Sequence, residues 1–307
     1  MNLKEKLMQK NGYVAMTLAK EFVSKDVGDR IDTVATFTER YNTARGTVQS
    51  AIKFLQEYKA ISFESRGHLG TFITYIDYTK LLEVADIKSI LGVMPLPYSK
   101  RYEGLATGIY KSSFAKKFPV NLAYMRGARN RLDSLEEGRY DFAVMSCLAA
   151  EHYIEKGEPI QIAVNFGTNS FVDNHVLAFN KNFGSEIKDG MRVGIDTSSL
   201  DHEIMTLKEC AGKKVELVHL LYSQIISNLV NGTIDASIST IDEIRDKKLD
   251  VKYKVVSEDY GGKNTQAVLV IHKDREEMRN LILKFLNKEE IIKYQNSVVE
   301  EKIIPNY

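Results

Sequence analysis

At 307 residues the chain is long enough for two domains and a well-buried core. Apolar residues make up 44% and charged residues 27%, a balance that excludes global disorder. The net charge of +1 is too small to mark a polyanion partner, although residues 1–80 hold 12 Lys/Arg against 9 Asp/Glu, a local excess of +3.

The opening residues, MNLKEKLMQKNGY, lack the apolar run of a secretion signal, and no later stretch approaches the roughly 18 apolar residues that span a bilayer. A cytoplasmic protein with no membrane partner is expected. The two cysteines, Cys147 and Cys210, fall in different predicted helices without CxxC or His-Cys spacing, so neither a disulfide nor a metal site is expected, and no cofactor motif is present.

Residues 12–24 carry Val14, Leu18 and Phe22 at helical spacing and predict a first helix. Asp32-Thr33 offers a cap for a second helix over Val34 to Tyr41, with Phe37 and Tyr41 turned inward. In the next helix Val48, Ala51, Ile52 and Leu55 fall at i, i+3, i+4 and i+7 and share a buried stripe. Arg45, Thr47, Gln49, Ser50 and Lys53 lie away from that stripe. Between Arg40 and Gln56 there are three basic residues and no acidic one. Such a helix suits the major groove, where side chains meet base edges and phosphates. Ile61 and Phe63 alternate with Ser62 and Glu64 in a half-buried strand, Arg66-Gly67-His68-Leu69-Gly70 makes a tip, and Phe72 returns to the core.

Arg45-Gly46-Thr47-Val48, the later Leu55, the Ala60-Ile61 turn and Gly70-Thr71-Phe72-Ile73 resemble the winged helix-turn-helix of GntR-type bacterial repressors, usually Ser-Arg-x-Thr-Val with a Gly-Thr-Phe wing. The resemblance implies contacts to double-stranded operator DNA from Thr33, Arg45, Gly46, Thr47, Gln49, Ser50, Lys53, Arg66, His68 and Gly70. Two positions depart from it. Ala44 stands where Ser normally caps the recognition helix, a loss of about 1 kcal/mol unless Thr43 supplies the oxygen. Asn42 replaces the Gly that closes the preceding helix, and Asn tolerates the left-handed conformation.

A short helix over Tyr78–Ala85 marks the boundary, giving a DNA-binding head over 1–77, a linker over 78–87 and a second domain over 88–307. Beyond it strands and helices alternate. Strands are expected at 89–94, 120–125, 141–145, 160–164, 176–179, 192–195, 215–219, 236–239 and 267–271. Helices lie between most of them, at 102–115, 128–137, 148–156, 200–210, 224–231 and 276–286. This is an α/β domain with largely parallel sheets. An internal echo divides it: Leu135-x-x-Gly138-x-x-Asp141 is matched by Leu229-x-x-Gly232-x-x-Asp235. Two similar lobes, with a crossover near Phe171–Asn180, fit a two-lobed periplasmic-binding-protein-like (type II) domain.

The whole chain resembles the YhfZ-type transcriptional regulators. The likeness is carried by Met94-Pro95-Leu96-Pro97-Tyr98 with Tyr102-Glu103-Gly104-Leu105-Ala106, by Met125-Arg126-Gly127-Ala128, and by Tyr140-Asp141-x-Ala143-Val144 with Ala149-Ala150-Glu151. It implies a ligand-responsive regulator, and regulators of this kind usually act as homodimers on paired half-sites.

In open α/β sheets the ligand lies beyond the carboxyl ends of the strands. In the first lobe those positions are Pro97, Tyr98 and Ser99 on a Pro-stiffened loop, Arg126 and Gly127 before a helix, and Ser146. In the second they are Asp196, Thr197, Ser198, Ser199 and Ser239. Arg126 can grip a carboxylate or phosphate, or simply pair with Glu103 or Asp141. Ser198 or Ser199 can bind an anion or only cap the helix. Together they point to a small polar, anionic effector. An enzyme on the same fold, or a sensor that works through a protein partner, are the competing readings. No Ser-His-Asp order, Cys–His pair or nucleotide-binding glycine loop supports catalysis, and His68, His152, His175, His202, His219 and His272 lack metal-ligand spacing.

Overall fold

The computed structural model describes residues 9–256 and 260–307, which fall into two compact units. The first begins with α1 (Lys10–Val23), β1 (Arg30–Ile31), α2 (Val34–Arg40) and α3 (Arg45–Glu57), followed by β2 (Ile61–Ser65), β3 (Thr71–Ile76) and α4 (Tyr78–Val84). Its core forms where Phe22 meets Phe37 and Phe63 edge-on, at 6.2 and 5.5 Å, and where Val48, Ala51 and Leu55 of α3 are buried. Thr33 caps α2 by accepting from the Thr36 amide at 3.2 Å. Ala44 gives α3 no side-chain cap, and Thr43 does not compensate, because its hydroxyl is buried without a partner among the described residues. Asn42 adopts the left-handed conformation (φ 45°) at the turn between the two helices.

The wing is a three-stranded antiparallel sheet in the order β1-β3-β2, one strand more than the hairpin expected. A register shift between Ser62 and Phe63 sets Phe63 opposite Ile73, and Ile73 is buried. Phe72 therefore does not fill the core as expected. It faces the other side of the sheet, opposite Glu64, with the Arg66 guanidinium 4.7 Å above its ring.

The second unit holds two sheets. The first contains β4 (Ile90–Met94), β5 (Val120–Tyr124), β6 (Phe142–Ser146), β7 (Ile160–Asn165) and, far along the chain, β13 (Ala267–His272), in the order β5-β4-β6-β13-β7. The second contains β8 (His175–Phe179), β9 (Arg192–Ile195), β10 (Glu216–His219), β11 (Ala236–Thr240) and β12 (Lys252–Val255), in the order β10-β9-β11-β8-β12. The helices are α5 (Lys100–Lys111), α6 (Ser113–Lys117), α7 (Ala128–Glu136), α8 (Cys147–Glu155), α9 (Leu200–Glu209), α10 (Tyr222–Val230), α11 (Ile241–Asp246), α12 (Glu276–Phe285) and α13 (Lys288–Val299).

The sheets are mixed rather than largely parallel. The strands that carry the chain between lobes run against their neighbours: β8 is antiparallel to β11 and β12, and β13 to β6 and β7. The chain thus crosses twice, and β13 completes the first lobe after the second has been built. Helix α13, absent from the sequence expectation, packs against α5. Added Cβ atoms at Gly104 and Gly108 would lie only 2.7 and 2.5 Å from the backbone oxygens of Gln295 and Ile291, so these two glycines permit the close approach.

The internal echo is a repeated clamp. In each lobe the helix ends at a left-handed glycine, Gly138 (φ 71°) or Gly232 (φ 74°). The aspartate that follows then holds a neighbouring strand at two points. Asp141 donates its amide to the Leu91 carbonyl (2.7 Å) and accepts the Leu91 amide on Oδ2 (2.8 Å), while Asp235 does the same with Arg192, both at 2.8 Å. An arginine completes each clamp, Arg275 on Asp141 at 2.8 Å and Arg192 on Asp235 at 2.6 Å.

Helix α12 and Lys117–Pro119 belong to the first unit. There Phe285 meets Tyr78 at 4.8 Å and Phe118 at 5.2 Å, Lys117 Nζ lies 4.0 Å over its ring, and Lys284 pairs with Asp26 at 2.5 Å. The chain therefore passes between the two units more than once.

Asp235 is buried while the Arg192 guanidinium it holds is partly exposed, so replacing Asp235 by Ala removes the acceptor of the Arg192 amide and a measurable loss of stability is expected. Urea unfolding should report it. Unchanged stability would mean that the clamp is incidental.

Candidate ligand cleft and nucleic-acid face

On α3 the side chains of Arg45, Gln49, Ser50 and Lys53 are exposed together with Gly46, Thr47 is half-buried, and the opposite stripe is sealed. Arg40 does not join this face, because Glu21 and Asp32 hold its guanidinium. Thr33 spends its hydroxyl on the α2 cap. In the wing, Arg66 donates to Glu64 at 2.7 Å while lying over Phe72, and His68 is exposed at the tip. Gly70 (φ 103°) sits against the Arg30 guanidinium, so Arg30 is an exposed cation at the base of the wing that the motif did not flag.

In the second unit a cavity of about 80 Å³ lies between the two lobes. A space of that size holds several waters or a small metabolite. The first lobe contributes Tyr98, Tyr102, Arg126, Gly127, Arg131 and Ser146; the second contributes Phe171, Asp196, Ser199, Asp201, His202 and Tyr222. Of the residues expected from sequence, Tyr98, Arg126, Gly127, Ser146, Asp196 and Ser199 line it together. Pro97, Ser99, Thr197, Ser198 and Ser239 do not. Ser99 caps α5, the Ser198 hydroxyl is drawn to Asp196 at 2.7 Å, and the Ser239 hydroxyl is buried without a partner among the described residues. Asp196 is fully engaged in shaping the wall, accepting from the Ser198 amide and hydroxyl and from the Tyr222 amide.

Arg126 stands exposed at the cavity edge. It does not pair with either acid that might have claimed it: Glu103 accepts from the Tyr307 hydroxyl, and Asp141 is committed to its clamp. Gly127 is needed where it is. Its φ is +75°, and a Cβ there would come within 2.9 Å of the Ser198 carbonyl across the cleft.

The deeper basic group is Arg131, which the sequence reading passed over. It is 4% exposed, and it donates through Nε to Val144 O (3.0 Å) and through Nη1 to Met125 O (2.7 Å). Among the described residues no carboxylate pairs with it, and burial lowers its pKa to about 10. The signal was present. Ala128, Arg131, Leu132 and Leu135 form one buried stripe of α7, and a lone arginine on such a stripe needs a reason. Across the cavity Asp201 is 6% exposed and accepts from the Ser146 hydroxyl at 2.9 Å. Burial raises its pKa to about 6, against the opposing pull of Ser146 and Arg131. His202 and His175 are driven down to about 4 and about 3, both mainly by burial. His202 accepts the Asp196 amide on Nδ1 and donates from Nε2 to Ile238 O, so it is a neutral wall element.

Tyr98 and Tyr222 stack at a tilt with centroids 5.2 Å apart, and Tyr102 meets Phe171 at 5.1 Å, which gives the cavity an aromatic lining. Glu151 pairs with Lys263 at 2.6 Å. Among the described residues no group of three His, Cys, Asp or Glu side chains could hold a metal ion, and no helix is long and apolar enough to cross a membrane.

The folded protein keeps a proton on Asp201 up to about pH 6, whereas the unfolded chain releases it near the ordinary carboxylate value of about 4. This contribution to stability is present below about pH 4 and is lost as pH rises to about 6. His202 and His175 act in the opposite sense, contributing above about pH 6.5 and losing that contribution as pH falls. Asp201→Asn should therefore match the wild type at pH 4 and exceed it above pH 6 by on the order of 2–3 kcal/mol. A stability difference that stays flat from pH 4 to about 7 would contradict the assignment.

Comparison with known proteins extends this picture. Residues 77–307 match a family described as the YhfZ C-terminal domain, and residues 26–73 match one described as a helix-turn-helix domain. The chain is 33% identical over 308 aligned residues to the uncharacterized protein YhfZ of Escherichia coli (strain K12), covering 99% of this chain and 100% of that one. Among solved structures, YhfZ from Shigella flexneri is 33% identical with a TM-score of 0.61, covering 75% of this chain and 97% of that chain. The periplasmic aliphatic sulphonate binding protein SsuA from Escherichia coli is 11% identical with a TM-score of 0.52, covering 70% and 74%, and shares the two-lobed fold.

Proposed function

The chain belongs to the YhfZ family, and on that premise we propose that it is a DNA-binding transcription regulator whose two-lobed domain senses a small anionic metabolite. The observation that carries the sensing half is Arg131. A guanidinium this buried, in direct contact with no carboxylate among the described residues, is costly unless something else brings the negative charge. Arg126 at the cavity edge would add steering and a second donor. The sulphonate binder that shares the fold takes an anion by name, in keeping with this reading.

The DNA-reading half rests on α3 and its wing. Arg45, Gln49, Ser50 and Lys53 would meet base edges and phosphates in the major groove, and Arg66 and His68 the flanking backbone or minor groove. The head is GntR-like in this proposal, and the protein works in the cytoplasm as a homodimer on half-sites one helical turn apart. Ligand control requires that the effector favour one arrangement of the dimer over another. The course of the chain supports such coupling: α12 counts with the head, yet it is spliced between β13 and α13 of the effector unit.

Binding to duplex DNA from the region upstream of its own gene, measured across a salt series, tests the groove assignment. Arg45→Ala should weaken binding by about 1–3 kcal/mol. Equal affinity of variant and wild type at every salt concentration would remove Arg45 from the interface.

A further inference from the structure

We propose that the cleft is built for a zwitterion, a small molecule with an acidic group for Arg131 in one lobe and an ammonium group for Asp201 in the other. The inference rests on reading Arg131 as the anion anchor and adds the second half of the ligand. It follows from the charges that the protein leaves unanswered around one cavity. Asp196 is saturated by three donors, Asp242 is paired with Arg101, and Glu243 with Lys247. By contrast, among the described residues Asp201 has no paired cation and a single donor. Its Oδ1 accepts the Ser146 hydroxyl, and its other oxygen has no partner among the described residues. Arg131 is the counterpart, with two nitrogens on backbone carbonyls and Nη2 without a partner among the described residues. The two side chains line the same cavity, come from different lobes and form no ion pair with each other.

A purely anionic ligand would answer Arg131 and leave Asp201 buried beside a second negative charge. A purely cationic one would do the reverse. Only a molecule bearing both signs relieves both, and by spanning the lobes it is held fully only when they are closed. The lining agrees with the cationic end: Tyr98, Tyr102, Tyr222 and Phe171 present ring surfaces, which attract an ammonium group. Burial has also moved Asp201 up to about 6 and Arg131 down to about 10, each against the weaker pull of the other across the cavity.

The test uses the full chain and paired probes: the protein amino acids, β-alanine and γ-aminobutyrate, each matched with the acid lacking its amine. Thermal unfolding and titration calorimetry are read for the wild type, Arg131→Met and Asp201→Asn. At least one amine-bearing acid should bind, its deaminated partner should bind at least about tenfold more weakly, and each variant should lose at least about tenfold in affinity. Asp201→Asn is isosteric and removes a buried charge, so its loss of binding should come without loss of thermal stability at neutral pH. Deaminated acids binding as well as their partners, or Asp201→Asn binding the amine-bearing acid like the wild type, would overturn the zwitterion and leave Arg131 as an anion anchor. Undiminished affinity in Arg131→Met, or no binding by any probe of either kind, would overturn both.

Discussion

A cation sealed in a protein interior without a carboxylate is among the costliest arrangements a fold can keep, and the organisation of this molecule follows from one such group. The Arg131 guanidinium is held in place by two backbone carbonyls, which fix its direction without neutralising it. The lobes then bring Asp201 to the far side of the same cavity, not in a direct ion pair with Arg131, with the Ser146 hydroxyl reaching across to it. Aromatic rings and two neutral histidines fill the remaining wall. Each of these groups would be better solvated elsewhere. Their convergence on one cavity is what the proposed binding site rests on.

The rest of the effector unit holds these groups at the required distance. The paired aspartate clamps lock neighbouring strands in each lobe, and the mixed sheets arise because the crossing strands run against those they join. Gly127 lets the backbone of one lobe approach the Ser198 carbonyl of the other, and Gly104 with Gly108 seats the last long helix against α5. In the head, the same economy appears on α3, where one stripe packs and the other is left polar and basic.

Much of this was legible before any coordinates. Periodicity located the head helices, the Gly-x-x-Asp echo announced two lobes, and Asn42 was correctly read as a left-handed turn residue. The failures have physical causes. An aromatic residue just after the wing tip suggests the core, but the pairing of β3 with β2 puts Ile73 opposite Phe63 on the buried face and turns Phe72 to the other, which local pattern does not reveal. Arg131 was missed because charged residues on helices are usually solvated, so attention went to Arg126 at the loop, where exposure is the rule. Asp201 was passed over for the neighbouring hydroxyls, whose motif looked like an anion cradle. Three of the hydroxyls in or beside that motif, Ser198, Thr197 and Ser239, do not face the cavity. Strand pairings fixed by distant segments, such as β13 beside β6, lie beyond local pattern altogether.

What would join the two halves, under the proposed function, is an effect of cleft occupancy on the DNA-reading helix. The most direct measurement is the affinity of the full chain for operator DNA at fixed ionic strength, with and without a small molecule that stabilises the cleft. A change of about fivefold or more, in either direction, that disappears in Arg131→Met is the expected result. A ligand that fills the cleft and leaves DNA affinity unchanged would contradict the account.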